Sequence, residues 1–200
     1  MTATRIQKLE ELFRANGPIL RSVNLRSAKF CSKDIAELIK VGYLSQVRRG
    51  YYSWVPFTET LNDMEVVASL IPEGIISFFS AAQYHDLTTV IPQSIEITLP
   101  SSMRTPALPG NLHVTVHKSA NHIYPVGIET IQVDNHTLKI YDQERTVCDF
   151  IRNRLKIGKD VALEVLKNYM SGKKNLQKLY EYSKLLQIEG VINPYVEVLV

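Results

Sequence analysis

Cysteine is scarce in this chain. Cys31 and Cys148 are the only two in 200 residues, too few and too widely spaced for a disulfide framework, which points to a cytoplasmic protein in a reducing compartment. No apolar run approaches the roughly 20 residues of a membrane helix. The opening MTATRIQKLEELF is amphipathic and charged, without the apolar centre of a signal peptide. Internal repeats and low-complexity segments are missing. So are the glycine loops that cradle phosphates, G-x-x-x-x-G-K-[ST] and G-x-G-x-x-G, and the G-x-S-x-G that would expose a nucleophilic serine. Ser80, His85 and Asp86 lie close in sequence but have no such frame. Metal-ligand spacing is lacking too. His113 and His117, with His122 nearby, fall on one face of an expected strand, but four strand positions span roughly 13 Å, too far for one zinc. The expectation is a protein without metal, cofactor or catalytic residues.

What is present is a hydrophobic content of 45%, enough for a real core, in a length that allows one or two domains. The charge is unevenly placed. Residues 1–55 carry ten Lys and Arg against four acids, a net +6, whereas the remaining 145 residues sum to −3. A basic head on a near-neutral body is the electrostatic footprint of nucleic-acid binding.

The segment SKDIAELIKVGYLSQVRRGYYSW, Ser32 to Trp54, gives that charge a shape. Ser32 is a natural N-cap and Asp34 suits the first turn of a helix. Ile35, Leu38 and Ile39 share one helical face, and Gly42 ends the helix. Leu44–Val47 and Tyr51–Val55 read as strands around Arg48-Arg49-Gly50. Upstream, Thr4–Ala15 is a first helix stopped by Asn16-Gly17-Pro18, and Ile19–Ser27 is a second with Leu20, Val23 and Leu25 inward. The sum is a winged helix-turn-helix domain over residues 1–56, with Pro56–Leu61 as linker. Lys33, Glu37 and Lys40 lie off the apolar face of the third helix, and Ser32 sits at the end that reaches base edges. Arg26, Ser27 and Lys29 precede it as phosphate contacts, and Arg48 and Arg49 form the wing tip. The DNA-binding set is therefore Arg26, Lys29, Ser32, Lys33, Lys40, Arg48 and Arg49. Trp54 and at least one of Tyr51 and Tyr52 belong to the core.

Residues 57–200 read as a mixed α/β domain with a helical C-terminal end, making the whole chain α+β. Helices are expected over Asn62–Ile71 and Ile75–Leu87. Strands are expected at Ser94–Leu99, Leu112–His117, Gly127–Val133 and Thr137–Tyr141, the last two joined through Asp134-Asn135-His136. Further helices follow at Arg145–Ile157, Asp160–Met170 and Leu176–Leu186, and Val191–Val200 can dock as a last one. Arg145 and Asp149, four apart, make a default salt bridge. A second basic run holds Arg152, Arg154, Lys156, Lys159, Lys167, Lys173, Lys174, Lys178 and Lys184 against three acids in 33 residues. It is either a solvated lysine-rich face or a second nucleic-acid or partner surface.

With these residues in view, the chain resembles the antitoxins of the AbiE abortive-infection class, the bacterial type IV toxin–antitoxin systems. Three segments carry the resemblance: Gly42-Tyr43-Leu44 with Arg49-Gly50-Tyr51-Tyr52; ISFFSAAQYHDL from Ile76 to Leu87 with the strand after it; and IYDQERTVCD from Ile140 to Asp149. Asp86 stands where such proteins tend to have glycine, which bears on the turn after that helix. The resemblance implies a winged-helix domain that represses its own operon by binding inverted repeats in its promoter, with Lys33, Lys40, Arg48 and Arg49 at the operator. It implies a C-terminal antitoxin domain with Ser80, His85, Arg145 and Asp149 as mainly structural signature positions. The partner it implies is a nucleotidyltransferase toxin, neutralised without a stable complex. The expected state is a monomer in solution with two copies on double-stranded promoter DNA. The rival readings are a ligand-responsive winged-helix transcription factor and a nucleic-acid-modifying enzyme.

Overall fold

The computed structural model describes residues 3–58, 63–109, 112–133 and 136–199. The chain divides into two compact units, Met1–Pro72 with Pro106–Leu112, and Glu73–Thr105 with His113–Val200.

The first unit runs α1 (Ala3–Asn16), β1 (Ile19–Arg21), α2 (Ser22–Ser27), α3 (Ser32–Lys40), β2 (Leu44–Arg48), β3 (Tyr51–Trp54), α4 (Val55–Thr58) and α5 (Asp63–Leu70). Its strands form an antiparallel sheet in the order β1-β3-β2. Leu9, Phe13, Leu20, Leu25, Phe30, Ile35, Leu38, Leu44 and Trp54 make one core. Trp54 stacks between Phe13 at 5.9 Å and Tyr43 at 5.5 Å. Ile19–Arg21 is a strand and not the opening of a helix, because it finds Tyr51–Ser53 as a pairing edge. The helix therefore starts three residues late, and Val23 turns outward at 58% exposure while Leu25 stays in the core. In α3 the N-cap is Cys31, with Ser32 the first helical residue. Gly42 sits just past the helix with φ +83, as a helix stop requires.

The first compact unit runs on past the expected boundary at residue 56, to Pro72. The physical reason is Arg48, which leaves the hairpin sideways. It donates to the Leu70 carbonyl at 3.1 Å and to the Ala107 carbonyl, fastening the end of α5 and the segment Pro106–Leu112 to this unit. Val55–Thr58 is a helical turn where linker was expected; residues 59–61 of that linker, and the Asp134-Asn135 turn, lie outside the described residues.

The second unit contains β4 (Ile75–Ile76), α6 (Phe78–Tyr84), β5 (Ile95–Pro100), β6 (Val114–Ser119), β7 (Ile128–Val133), β8 (His136–Tyr141), α7 (Gln143–Arg152), α8 (Arg154–Ile157), α9 (Lys159–Ser171), α10 (Leu176–Leu185) and α11 (Glu189–Leu199). Its mixed sheet has the order β6-β5-β4-β8-β7. The expected helix from Ile75 divides, because Ile75 and Ile76 pair with β5 on one side and Ile76 with β8 on the other. Ser77 then caps α6, its amide held on the Glu96 carbonyl at 2.9 Å. Asp86 makes the turn that glycine was expected to make, in the left-handed region at φ 56. Every residue of α7 from Glu144 to Ile151 is buried, and its apolar positions pack with Ala162, Val165, Leu166, Leu179 and Ile192 of the C-terminal helices. The helix expected to run on to Ile157 breaks at Asn153, whose side chain donates to the Asp149 carbonyl at 2.8 Å.

Gly127 precedes β7 with φ +79, and a Cβ there would lie 2.5 Å from the Arg145 Cβ. Gly127→Ala is therefore expected to cost at least about 2 kcal/mol, from backbone strain and the collision together. A urea titration checks this, and a shift below about 0.5 kcal/mol would show that the neighbourhood yields freely.

Candidate nucleic-acid interface

The exposed side of α3 carries Lys33 and Lys40. Seven residues are close to two helical turns, so the two ammonium groups follow one stripe with about 10 Å of rise between them. Opposite, Ile35 and Leu38 enter the core, while Ile39, expected inward, is 36% exposed at the edge of that face. The start of α3 is fixed by a small network. Asp34 Oδ2 accepts from the Cys31 amide at 2.8 Å, which satisfies an orphan donor of the first turn. Arg5 of α1 reaches the Asp34 carboxylate at 3.0 and 3.2 Å and the Lys29 carbonyl at 3.1 Å. Hydrogen bonds from Cys31, and then the Arg5 guanidinium, hold the Asp34 carboxyl below its ordinary range.

Arg26, Lys29 and Ser32 line one hollow of about 430 Å³ with Phe30 and Cys31, at the turn between α2 and α3. Lys29 makes that turn in the left-handed region, φ 69. The two short helices and this turn thus bring three of the sequence-derived contacts to the N-terminal end of α3. Arg49 is exposed at the hairpin tip, where the Gly50 carbonyl accepts from the Ser22 amide at 2.7 Å. Arg48 is not a tip residue. Its guanidinium sits 3.9 Å from the Tyr51 ring and is committed to the Leu70 and Ala107 carbonyls. A shift of pairing register between Gln46 and Arg48 accompanies this sideways course. Sequence reasoning missed Arg5 altogether; its only signal was a basic residue on the first helix with an acid at the start of the third.

The second basic run does not present as one surface. Lys178 bridges Asp142 at 3.0 Å and Glu144 at 3.3 Å. Lys174 donates to the Met170 carbonyl at 2.8 Å, Arg154 to the Ile151 carbonyl at 3.0 Å, and Lys184 lies over the Tyr180 ring. Lys173, Lys174 and Lys178 border one hollow and Arg152 and Lys156 another. Lys159 and Lys167 are exposed on α9.

The signature residues of the second unit are knitted inward. Arg145 is 1% exposed. Its Nε donates to Asp149 Oδ2 at 3.0 Å, and its Nη1 donates to the carbonyls of Ile123 at 2.6 Å and Val126 at 2.8 Å. Its guanidinium lies 4.2 Å from the centre of the Tyr141 ring. Burial pushes the Asp149 carboxyl up, against the pull of Arg145. Asp142 caps α7 through the Arg145 amide at 2.7 Å and accepts from the Tyr182 hydroxyl at 3.1 Å. Burial and then the charge of Asp142 push that phenol up to about 12. Ser80 Oγ accepts from the Glu96 amide at 2.9 Å, and His85 Nε2 donates to the Tyr141 carbonyl at 2.7 Å. Burial pushes the Cys148 thiol far up, so it is a core group and not a nucleophile. His117 Nε2 is paired with Glu96 Oε2 at 3.0 Å. Among the described residues no group of three His, Cys, Asp or Glu is placed to hold a metal ion, and no helix is long and apolar enough to cross a membrane.

No protein-family model matches the chain. No curated protein matches it either. Among solved structures it is similar to the crystal structure of the RV2827C protein from Mycobacterium tuberculosis, with a TM-score of 0.58 at 15% identity, over 100% of this chain and 81% of that one. At that identity the likeness is one of fold.

Proposed function

We propose that this chain is a non-enzymatic, cytoplasmic DNA-binding regulator whose first unit is a winged helix-turn-helix, and that it acts as an antitoxin of the AbiE class. The observation that carries the DNA-binding half is the basic stripe of α3, Lys33 and Lys40, with Arg26, Lys29 and Ser32 gathered at its N-terminal end. In this reading α2 and α3 are the helix-turn-helix, α3 enters the major groove, and the β2–β3 hairpin is the wing. Arg49 takes a backbone phosphate, while Arg48 holds the hairpin to α5 and takes no part in binding DNA.

The antitoxin half rests on the three sequence segments that resemble the AbiE class. In this reading the chain binds inverted repeats in its own promoter, two copies per operator, and counters a nucleotidyltransferase toxin without a stable complex. A reporter driven by the DNA upstream of its own gene tests autorepression, and co-expression with the neighbouring gene tests neutralisation. The expected results are lowered reporter output and rescue of growth. An unchanged reporter overturns the regulator reading. Repression without rescue overturns only the antitoxin half.

A further inference from the structure

We propose that the second unit binds a small phosphate-bearing ligand in the hollow between the end of β6, the start of α6 and the junction of α7 with α8. This hollow holds about 420 Å³, within the range of small-molecule sites and larger than inorganic phosphate requires. Ser119 lines it. That residue is 8% exposed, and its Oγ is buried without a hydrogen-bond partner. A buried hydroxyl left unpaired calls for an acceptor or donor from outside the chain.

The surrounding charge selects an anion. Arg152, the last residue of α7, and Lys156 of α8 both border the hollow and are both exposed. Lys118 also borders the hollow, but its ammonium is held on the carbonyl of Met103, which is not part of the lining. Asp149 is the acid on the wall, and Arg145 neutralises it at 3.0 Å, so the lining stays net positive. The back wall is firm: the His117 ring lies 4.0 Å from Phe78 and is tethered to Glu96. Phe78 itself holds a left-handed backbone, φ 46, a conformation that costs free energy in a phenylalanine and concentrates at binding sites. Two cations with one buried hydroxyl suit a terminal phosphate group. The cations border a hollow of small-molecule size and not an extended open face, so the ligand is small.

Isothermal titration of the full chain tests this with four probes: adenosine 5′-monophosphate, inorganic phosphate, adenosine, and duplex DNA of scrambled sequence. The monophosphate is expected to bind and adenosine is not. Tighter binding of the monophosphate than of inorganic phosphate assigns a phosphate ester; equal affinity assigns phosphate alone. Ser119→Ala and Lys156→Gln should each weaken binding about 10-fold. Lys156 is exposed, so its variant keeps the fold. Failure of both phosphate probes at millimolar concentration, unchanged affinity in both variants, or binding of duplex DNA alone would overturn the site. The proposal stands on the second unit alone and is independent of DNA binding by α3.

Discussion

Arg145→Ala is expected to remove about 3–5 kcal/mol of stability, the usual cost of breaking a buried ion pair from one side. That is a large part of the about 5–15 kcal/mol that holds a typical domain together. The loss has several parts. The guanidinium bonds Asp149 and two carbonyls of the β6–β7 connection, and it covers the Tyr141 ring. Truncation leaves the Asp149 carboxylate buried without its partner, and one buried and one half-buried carbonyl without that donor. The loss also depends on pH. Burial already pushes the Asp149 carboxyl up, and without Arg145 its folded value rises further above the unfolded one. A group shifted upward favours the fold below its unfolded pKa and loses that advantage as pH rises through the folded value. The deficit of the variant should therefore be larger at about pH 8 than at about pH 5. Urea unfolding at the two pH values measures it. Arg145→Lys should recover little, since an ammonium cannot reproduce the fork that spans three acceptors. A variant that unfolds at the wild-type midpoint would show that the network contributes no net stability.

The second large effect concerns DNA. Replacing Lys33, Lys40 and Arg49 together by alanine is expected to reduce affinity for the DNA upstream of the gene by about 100-fold or more. If all three meet phosphates, the slope of log K against log salt should flatten by about 0.9 for each phosphate that is no longer neutralised. These side chains are exposed, so the circular dichroism and unfolding midpoint should stay unchanged. Arg48→Ala is expected to behave in the opposite way. It should lower the unfolding midpoint, because the Leu70 and Ala107 carbonyls lose their donor, and leave the salt slope as it was. A flatter salt slope in Arg48→Ala at unchanged stability would return Arg48 to the DNA-binding residues and contradict its role as a tie within the first unit.

The sequence made some features of the chain easy to read and hid others for definable reasons. Helix α3 was legible because its apolar spacing, early acid and Gly42 all agree. The β2–β3 hairpin was legible because its aromatic strands flank a basic turn. The strand β1 was not, because Ile19-Leu20-Arg21 fits a helical pattern as well as an extended one, and only its pairing with β3 decides. The same holds for Ile75-Ile76, two residues that become a strand by filling a gap between β5 and β8. The Arg145–Asp149 pair was readable from its spacing of four. Its two carbonyl partners were not, since they come from a loop some twenty positions away. Arg48 and Arg49 are adjacent and chemically alike, and nothing in the sequence separates the one that ties the fold from the one that faces solvent. The basic run from Arg152 to Lys184 looked like a single feature because charge was counted along the chain. In space it divides among ion pairs, carbonyl hydrogen bonds and two separate hollows.

The central claim is that α3 reads a specific DNA sequence. Its most direct test is a gel shift of the full chain on the DNA upstream of its own gene, beside scrambled DNA of the same length and composition, across a salt series. Selective binding to the upstream DNA, weakened by salt and abolished by the Lys33, Lys40 and Arg49 substitutions, is the expected result. Equal binding to both DNAs, or selective binding that survives those substitutions, would contradict the assignment of α3 as the reading helix.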